Sequence, residues 1–449
     1  MLNFLKTMTE HNIEDVALEN ILNAKLAQMI SCRGVKFRQF RHSKPQSVCY
    51  MAMCFLSSGS FKSLTPKLIN EHLIPFIKDD VEKKIDYYKN QYYELNYKKS
   101  GDKKADKENE KIVNEYLNTI DDKYDLDIGN ATFTGLYKIA EQISKIGTGA
   151  ISLCIDEFAD FISSVVAGDL SNKELYESFK GLSDGDIMPK KIAGEIRHNI
   201  DNMPVSVYLA TDYTRLKEPK INQYFISSLQ SGFARRCFVY ISNGKDKNKS
   251  NWREKAKALE QVQDIQEYLK NIYYAIPENI IYDFSDDAQN LIQKYKDKCT
   301  DEFNKLREKN LILATEIEGS FWKITKLAVI KHALNNPMNP LIGVEAVQEA
   351  ISFYERLKPC LKIVLETKED SPEDKLKQWI LQQDEPFKSG DIKKLGLVAS
   401  RGFKSWLEDV IYDIAEDIKI DKGWSLVDFN GFGGNSKAYQ LIKKGSKDE

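Results

Sequence analysis

An apolar run fit for a buried strand, Tyr50 to Leu56, breaks into Ser57-Ser58-Gly59-Ser60 and then delivers Phe61-Lys62-Ser63-Leu64 to a helix start. That is the outline of a phosphate-binding loop. Such a loop needs small residues so that backbone N–H groups can wrap an anion, a lysine to offset its charge, and a hydroxyl to hold Mg²⁺. Measured against G-x-x-x-x-G-K-[ST], Leu56 and Phe61 stand at the two glycine positions, and only Gly59 remains. Phe61 has a narrower φ preference than the glycine that lets the backbone curl over a phosphate. The competing reading is a Ser-rich strand-to-helix turn with a surface lysine.

Three later segments bear on that choice. Ile151 to Ile155 is an unbroken apolar run of the kind a parallel sheet buries on both faces, and it ends in Asp156-Glu157. A phosphate-loop enzyme needs carboxylates there: Asp156 for the Mg²⁺ shell, Glu157 to orient and deprotonate an attacking water. The bland alternative is a helix N-cap. A third strand, Val205 to Leu209, leads into Ala210-Thr211-Asp212, where Thr211 could sense a terminal phosphate. A fourth, Cys237 to Ile241, follows Ser231-GFARR, which brings Arg235 and Arg236 to a strand start. Arginine can stabilise the charge on a transferring phosphoryl group, often from a neighbouring subunit. Its alternative is a surface ion pair.

With 449 residues the chain should hold two to three domains at about 150 residues each. A net charge of −2 leaves no global basic excess, so nucleic-acid binding would have to use local patches. The 7 cysteines form no C-x-x-C pair and read as reduced, buried thiols, and the histidines show no zinc spacing. No apolar stretch approaches the ~18 residues of a membrane span, which predicts a cytoplasmic protein with no membrane partner.

In chain order, Ile13 to Ile30 has helical spacing, and the next segment carries Arg33, Lys36, Arg38, Arg41 and Lys44 without an acid, suggesting a strand with one basic face. Pro66 to Ile77 continues as apolar helix. Residues 78–120 are charged and Tyr-rich, too polar to build a core, and predict a protruding helical hairpin with its tip near Ser100-Gly101-Asp102. Thr132 is a candidate cap for a helix running to Lys145. Lys190, Lys191 and Arg197 lie between the second and third strands, where a ring ATPase would grip a nucleic-acid strand. Residues 250–366 read almost wholly as helices. From 371 to 445 the order is helix, helix, helix and hairpin, a winged-helix pattern, with Arg401 and Lys404 at the start of the third helix and a glycine-rich wing from Asn430. That helix also carries Glu408, Asp409, Asp413, Glu416 and Asp417, which leaves a protein-binding winged helix open.

The order of LSSGSFKS, NATFTGLYKIAEQ, LCIDEF, LSDGD and SGFARR resembles the primase-associated P-loop ATPases of phages, plasmids and integrated elements, over roughly Ile13 to Glu366. The resemblance implies an α/β fold with a RecA- or AAA-like parallel sheet and a helical extension, to which the pattern of 371–445 adds a C-terminal winged helix. It implies a helicase-like ATPase in replication of a mobile element inside a bacterial host. ATP and Mg²⁺ would be its cofactors; single-stranded DNA, a primase and further copies of the chain in a ring would be its partners. Expected segments are 1–45, a core over 46–245 with the hairpin inserted, a helical domain over 250–366 and the winged helix. Expected site residues are Ser58, Gly59, Ser60, Phe61, Lys62, Ser63 and Leu64 for nucleotide, Ser63 and Asp156 for the metal, and Glu157, Thr211, Arg235 and Arg236 for catalysis. Two other readings stay open: a non-hydrolysing relic serving as replisome scaffold, and an origin-binding initiator that uses the winged helix.

Overall fold

All seven side chains of the strand Tyr50–Leu56 are buried, because both of its faces are covered. In a computed structural model the described residues are 1–40, 42–129, 131–187, 198–242, 251–366, 372–398, 401–422, 424–428 and 437–443. The chain is mixed α/β and divides into a unit over Met1–Leu365 and a unit over Glu366–Glu449.

The strands of the first unit are β1 (Lys36–Arg38), β2 (Gln46–Ser47), β3 (Tyr50–Leu56), β4 (Ile151–Ile155), β5 (Val205–Asp212), β6 (Phe238–Ile241), β7 (Ile281–Phe284) and β8 (Leu341–Ile342). One sheet has the order β4-β5-β3-β6, and every pairing in it is parallel. Ile128 adds a parallel bridge to Leu153 on the free side of β4. The chain leaves β3 for β4, returns to lay β5 between them, and then crosses to β6 on the other side of β3. Connections therefore diverge around β3, and the crevice at such a switch point is where doubly wound sheets bind ligands.

Alternation along β3 divides the core in two. Tyr50, Ala52, Cys54 and Leu56 face the helix Asp15–Ser31, whereas Met51, Met53 and Phe55 face the helices Phe133–Ile146, Phe158–Val166, Leu170–Leu182 and Pro219–Ser231. Helix Asp15–Ser31 is buried almost all round; several of its polar residues are matched individually, whereas the buried Asn23 amide has no partner among the described residues. Asn20 donates to the Phe238 carbonyl at 2.8 Å and accepts from the Tyr50 hydroxyl at 2.8 Å, while Lys25 pairs with Asp127 and reaches Ser152 Oγ at 3.2 Å.

Three expectations about organisation change. The segments 1–45, 46–245 and 250–366 share one compact unit, because β1 pairs with β7 and β7 with β8, and one continuous core runs from Phe4 to Leu357. Residues 250–366 are mostly helical but supply these two strands. The basic strand is also partly matched: β1 lies between β2 and β7, Arg33 pairs with Glu278 at 2.7 Å, and Arg38 pairs with Asp283 at 3.0 Å. Both acids are distant in sequence.

Two local expectations are met. The helices Phe76–Asn96 and Lys103–Leu117 form the hairpin, with Gly101 at φ +88° in its turn and Asp102 as N-cap. Thr132 Oγ1 accepts from Gly135 N at 3.1 Å to cap Phe133–Ile146. The helix expected from Pro66 is interrupted, since Leu64–Leu68 passes into a π-helical turn at Ile69–Leu73. No helix among the described residues is long and apolar enough to cross a membrane.

In the second unit, helix Pro372–Leu381 is followed by β9 (Phe387–Lys388), helices Ser389–Lys394 and Phe403–Lys422, β10 (Ser425–Asp428) and β11 (Ala438–Ile442). The strands form an antiparallel sheet in the order β10-β11-β9, over a core that includes Leu376, Ile392, Leu407, Ile411, Ile418 and Leu441. The expected wing at 430–436 lies outside the described residues.

Candidate functional site

Beyond β3 the chain turns twice through the left-handed region, at Gly59 (φ +73°) and at Phe61 (φ +58°). Glycine takes that conformation freely, whereas an aromatic residue there is strained by about 1–3 kcal/mol. Three bonds hold Phe61: its carbonyl accepts from Leu64 N, Thr65 N and Thr65 Oγ1, each at 3.0 Å. Its half-buried ring packs against the core, with Lys255 Nζ 5.5 Å from the centroid. The backbone thus makes the glycine turn although the glycine is gone. A Phe61→Gly variant should keep the turn and bind an ATP analogue at least as tightly as wild type, while the β-branched Phe61→Val should weaken it roughly tenfold through added strain. Titration with a labelled analogue, beside a melting curve, measures both; equal affinities in the two variants would dismiss the strained turn as a determinant.

Inside that turn the backbone N–H groups of Gly59, Phe61, Lys62 and Ser63 find no acceptor among the described residues, and buried Ser60 Oγ has none either. Successive open N–H groups in a turn of this kind can make an anion-binding concavity. Lys62 Nζ stands beside it, 3.2 Å from Glu157 Oε1 and 3.4 Å from Oε2. Glu157 and Asp156 directly follow β4, and β5 lies between β4 and β3, so the lysine and the acids meet at the carboxyl ends of three adjacent strands. Tyr208 on β5 braces the arrangement by donating to the Lys62 carbonyl at 3.2 Å. Burial raises the Tyr208 phenol well above its ordinary pKa, with Cys54, Cys154 and Asp156 adding to the effect, so the hydroxyl stays a donor. Ser58, Gly59 and Leu64 are exposed, and Ser63 is half-buried just before the helix. Ser63 after β3 and Asp156 after β4 carry hard oxygen donors of the kind a Mg²⁺ ion takes.

Thr211 does not join them. Along β5, Tyr208 and Ala210 face the loop's side of the sheet, and Thr211 faces the other. It is 1% exposed, and its hydroxyl lies without a partner beside Phe55, Phe158, Tyr224 and Phe225. Asp212 at the strand end is committed to a local turn, accepting from Thr214 N and Oγ1 at 2.9 and 2.7 Å.

Arg235 and Arg236 sit in the 3₁₀ turn Ala234–Arg236 before β6, hence at the amino ends of the strands and away from the loop. The seven residues of β3 separate the two edges by about 20 Å. The arginines line a cleft of about 900 Å³ together with Asp184, Asp186, Lys323 and Lys326. Arg236 pairs with Asp184 at 3.3 Å and donates to the Gly232 carbonyl at 2.8 Å, whereas Arg235 has no carboxylate partner among the described residues. Behind it, Lys323 and Glu316 form a buried ion pair in helix Leu311–Asn335, and Lys323 also donates to the Cys237 carbonyl at 3.1 Å. That bond ties the arginine turn to the helix.

Lys190, Lys191 and Arg197 lie outside the described residues. Arg401 and Lys404 are exposed at the start of helix Phe403–Lys422, and the five acids from Glu408 to Asp417 on that helix are exposed as well. Sequence reasoning missed Tyr208 and Lys255. A tyrosine inside a strand buried along nearly its whole length was the signal for the first; nothing local marks the second. No protein-family model matches this chain, and no curated protein matches its sequence.

Proposed function

We propose that the chain is a P-loop ATPase acting as a helicase-like or DNA-remodelling motor in replication of a phage, plasmid or mobile element, as the resemblance of its motifs implies. The observation that carries this reading is the contact of Lys62 with Glu157 beside the open N–H groups of the β3 loop, at the switch point of a parallel sheet. Loop N–H groups and Lys62 would bind the phosphates of ATP, and Ser63 and Asp156 would hold Mg²⁺. The ion offsets phosphate charge when bound. Once Lys62 turns to the phosphates, Glu157 is released to orient and deprotonate water.

Replacing Lys62 by alanine should weaken binding of a labelled ATP analogue about 10- to 100-fold, the equivalent of ~1.5–3 kcal/mol for a charge-assisted contact. Equal binding by variant and wild type would end the assignment. Glu157 is about half exposed, so losing its lysine partner leaves the fold intact. The ATPase rate with and without single-stranded DNA then separates a motor from a non-hydrolysing scaffold, a reading favoured by the strained Phe61.

The strand and helix order of the second unit supports a winged helix. Arg401 and Lys404 favour DNA as its target, and the acids along the same helix favour a protein such as a primase. Footprinting on origin DNA distinguishes these.

A further inference from the structure

The hairpin of helices Phe76–Asn96 and Lys103–Leu117 has a use that the motifs do not suggest. Buried residues on its first helix end at Ile85 and Tyr88 is the last to pack against the core, so the eight residues from there to Asn96 stand off it by about 12 Å. Near the base the lysines other than Lys83 are matched: Lys78 to Glu82, Lys84 to Asp80 and Glu278, Lys89 to Asp122 and Lys111 to Glu115. Around the turn they are not. Lys98, Lys99, Lys103, Lys104 and Lys107 are exposed and have no carboxylate partner among the described residues. The two acids in the turn are committed to building it, since Asp102 accepts from Lys104 N at 2.9 Å and Asp106 from Ser100 N and Oγ at 2.6 and 2.8 Å. Behind the lysines Tyr93 and Tyr97 stack at 5.2 Å, and Asn109 donates to the Lys98 carbonyl at 3.4 Å, which steadies the end.

We infer that this tip is an arm that grips the phosphate backbone of a nucleic acid, with Tyr93 and Tyr97 offering a surface on which bases can stack. The inference rests on the DNA part of the reading above. Lysines without any arginine suit point-charge contact to phosphates; protein interfaces enrich arginine and deplete lysine. A lipid surface fits less well, because Leu95 is the one large apolar residue exposed near the turn among the described residues, too little to insert. Each phosphate neutralised releases counterions, so binding through the arm must be salt-dependent.

The test is fluorescence anisotropy of the full chain with a labelled 30-nucleotide single strand and, separately, a duplex of equal length, across a salt series. Lys98→Gln, Lys99→Gln, Lys103→Gln and Lys104→Gln combined should flatten the log–log slope by about 3–4 and weaken binding at low salt tenfold or more. The fourfold arginine variant should retain both, and melting temperatures should hardly move, because these exposed side chains make no ion pair among the described residues. If wild type binds and the glutamine variant keeps its slope, the arm is refuted while DNA binding stands. If wild type binds neither strand nor duplex, both fall. A preference between the two probes identifies which form of backbone the arm meets.

Discussion

Lys323→Met is expected to destabilise the first unit by about 3–5 kcal/mol, because it strands the buried Glu316 carboxylate without its counter-ion. Glu316 is fully buried and Lys323 4% exposed. Burial raises the Glu316 pKa, and Lys323, the Tyr354 hydroxyl and Arg235 pull it back down. One carboxylate oxygen already lacks a hydrogen bond. Without Lys323 the folded-state pKa climbs further. A raised carboxylate pKa costs nothing below the unfolded value of about 4.3, where both states are protonated, and the cost grows as pH rises above it. The gap in urea midpoint between variant and wild type should therefore be wider at pH 8 than at pH 5. Adding Glu316→Gln should recover part of the loss. A penalty under 1 kcal/mol at pH 8 would mean that the pair is not buried as described. Because Lys323 also holds the Cys237 carbonyl, the single variant should loosen the Arg235 turn.

Arg235→Ala and Glu157→Gln, each inactive alone, should restore ATPase activity when mixed. Arg235 faces a cleft about one strand length from its own Lys62 loop, so it cannot serve that loop, but it is free of any carboxylate partner among the described residues. A head-to-tail contact that brings this edge to a neighbour's loop gives the arginine a target, and repeated contacts of that kind close into a ring. An arginine supplied in trans is worth about 10³-fold or more in rate. In a mixed ring some interfaces combine an intact arginine with an intact Glu157, so activity returns in part. Arg236, tied to Asp184 and the Gly232 carbonyl, is less available, and Arg236→Ala should cost less than Arg235→Ala. Persistent inactivity while sizing shows subunit exchange, or full activity of a monomer, would reject the shared site.

Much of the local structure was legible because it is written in short periods. The runs at 50–56, 151–155, 205–209 and 237–241 read as buried strands, since strands covered on both faces leave no polar alternation. The hairpin at 78–120 was visible because its composition cannot form a core, and Thr132 because a cap is a local hydrogen bond. Lys62, Asp156 and Glu157 stood out for chemistry at strand ends, and the fold brings Lys62 and Glu157 into contact. What the tertiary structure alone decided is non-local. The order β4-β5-β3-β6 determines that Lys62 meets Glu157 across Tyr208, and register determines that Thr211 turns into the apolar core. The pairing of β1 with β7 merges three expected segments into one unit and neutralises Arg33 and Arg38 with acids from beyond residue 277. Phe61 holds a glycine's φ with local bonds from Leu64 and Thr65, and Lys255, distant in sequence, adds a contact to its ring that helps to offset the strain. Local periodicity reports which face of an element is buried; which surface buries it is set by contacts between segments far apart in the chain, and those no short pattern encodes.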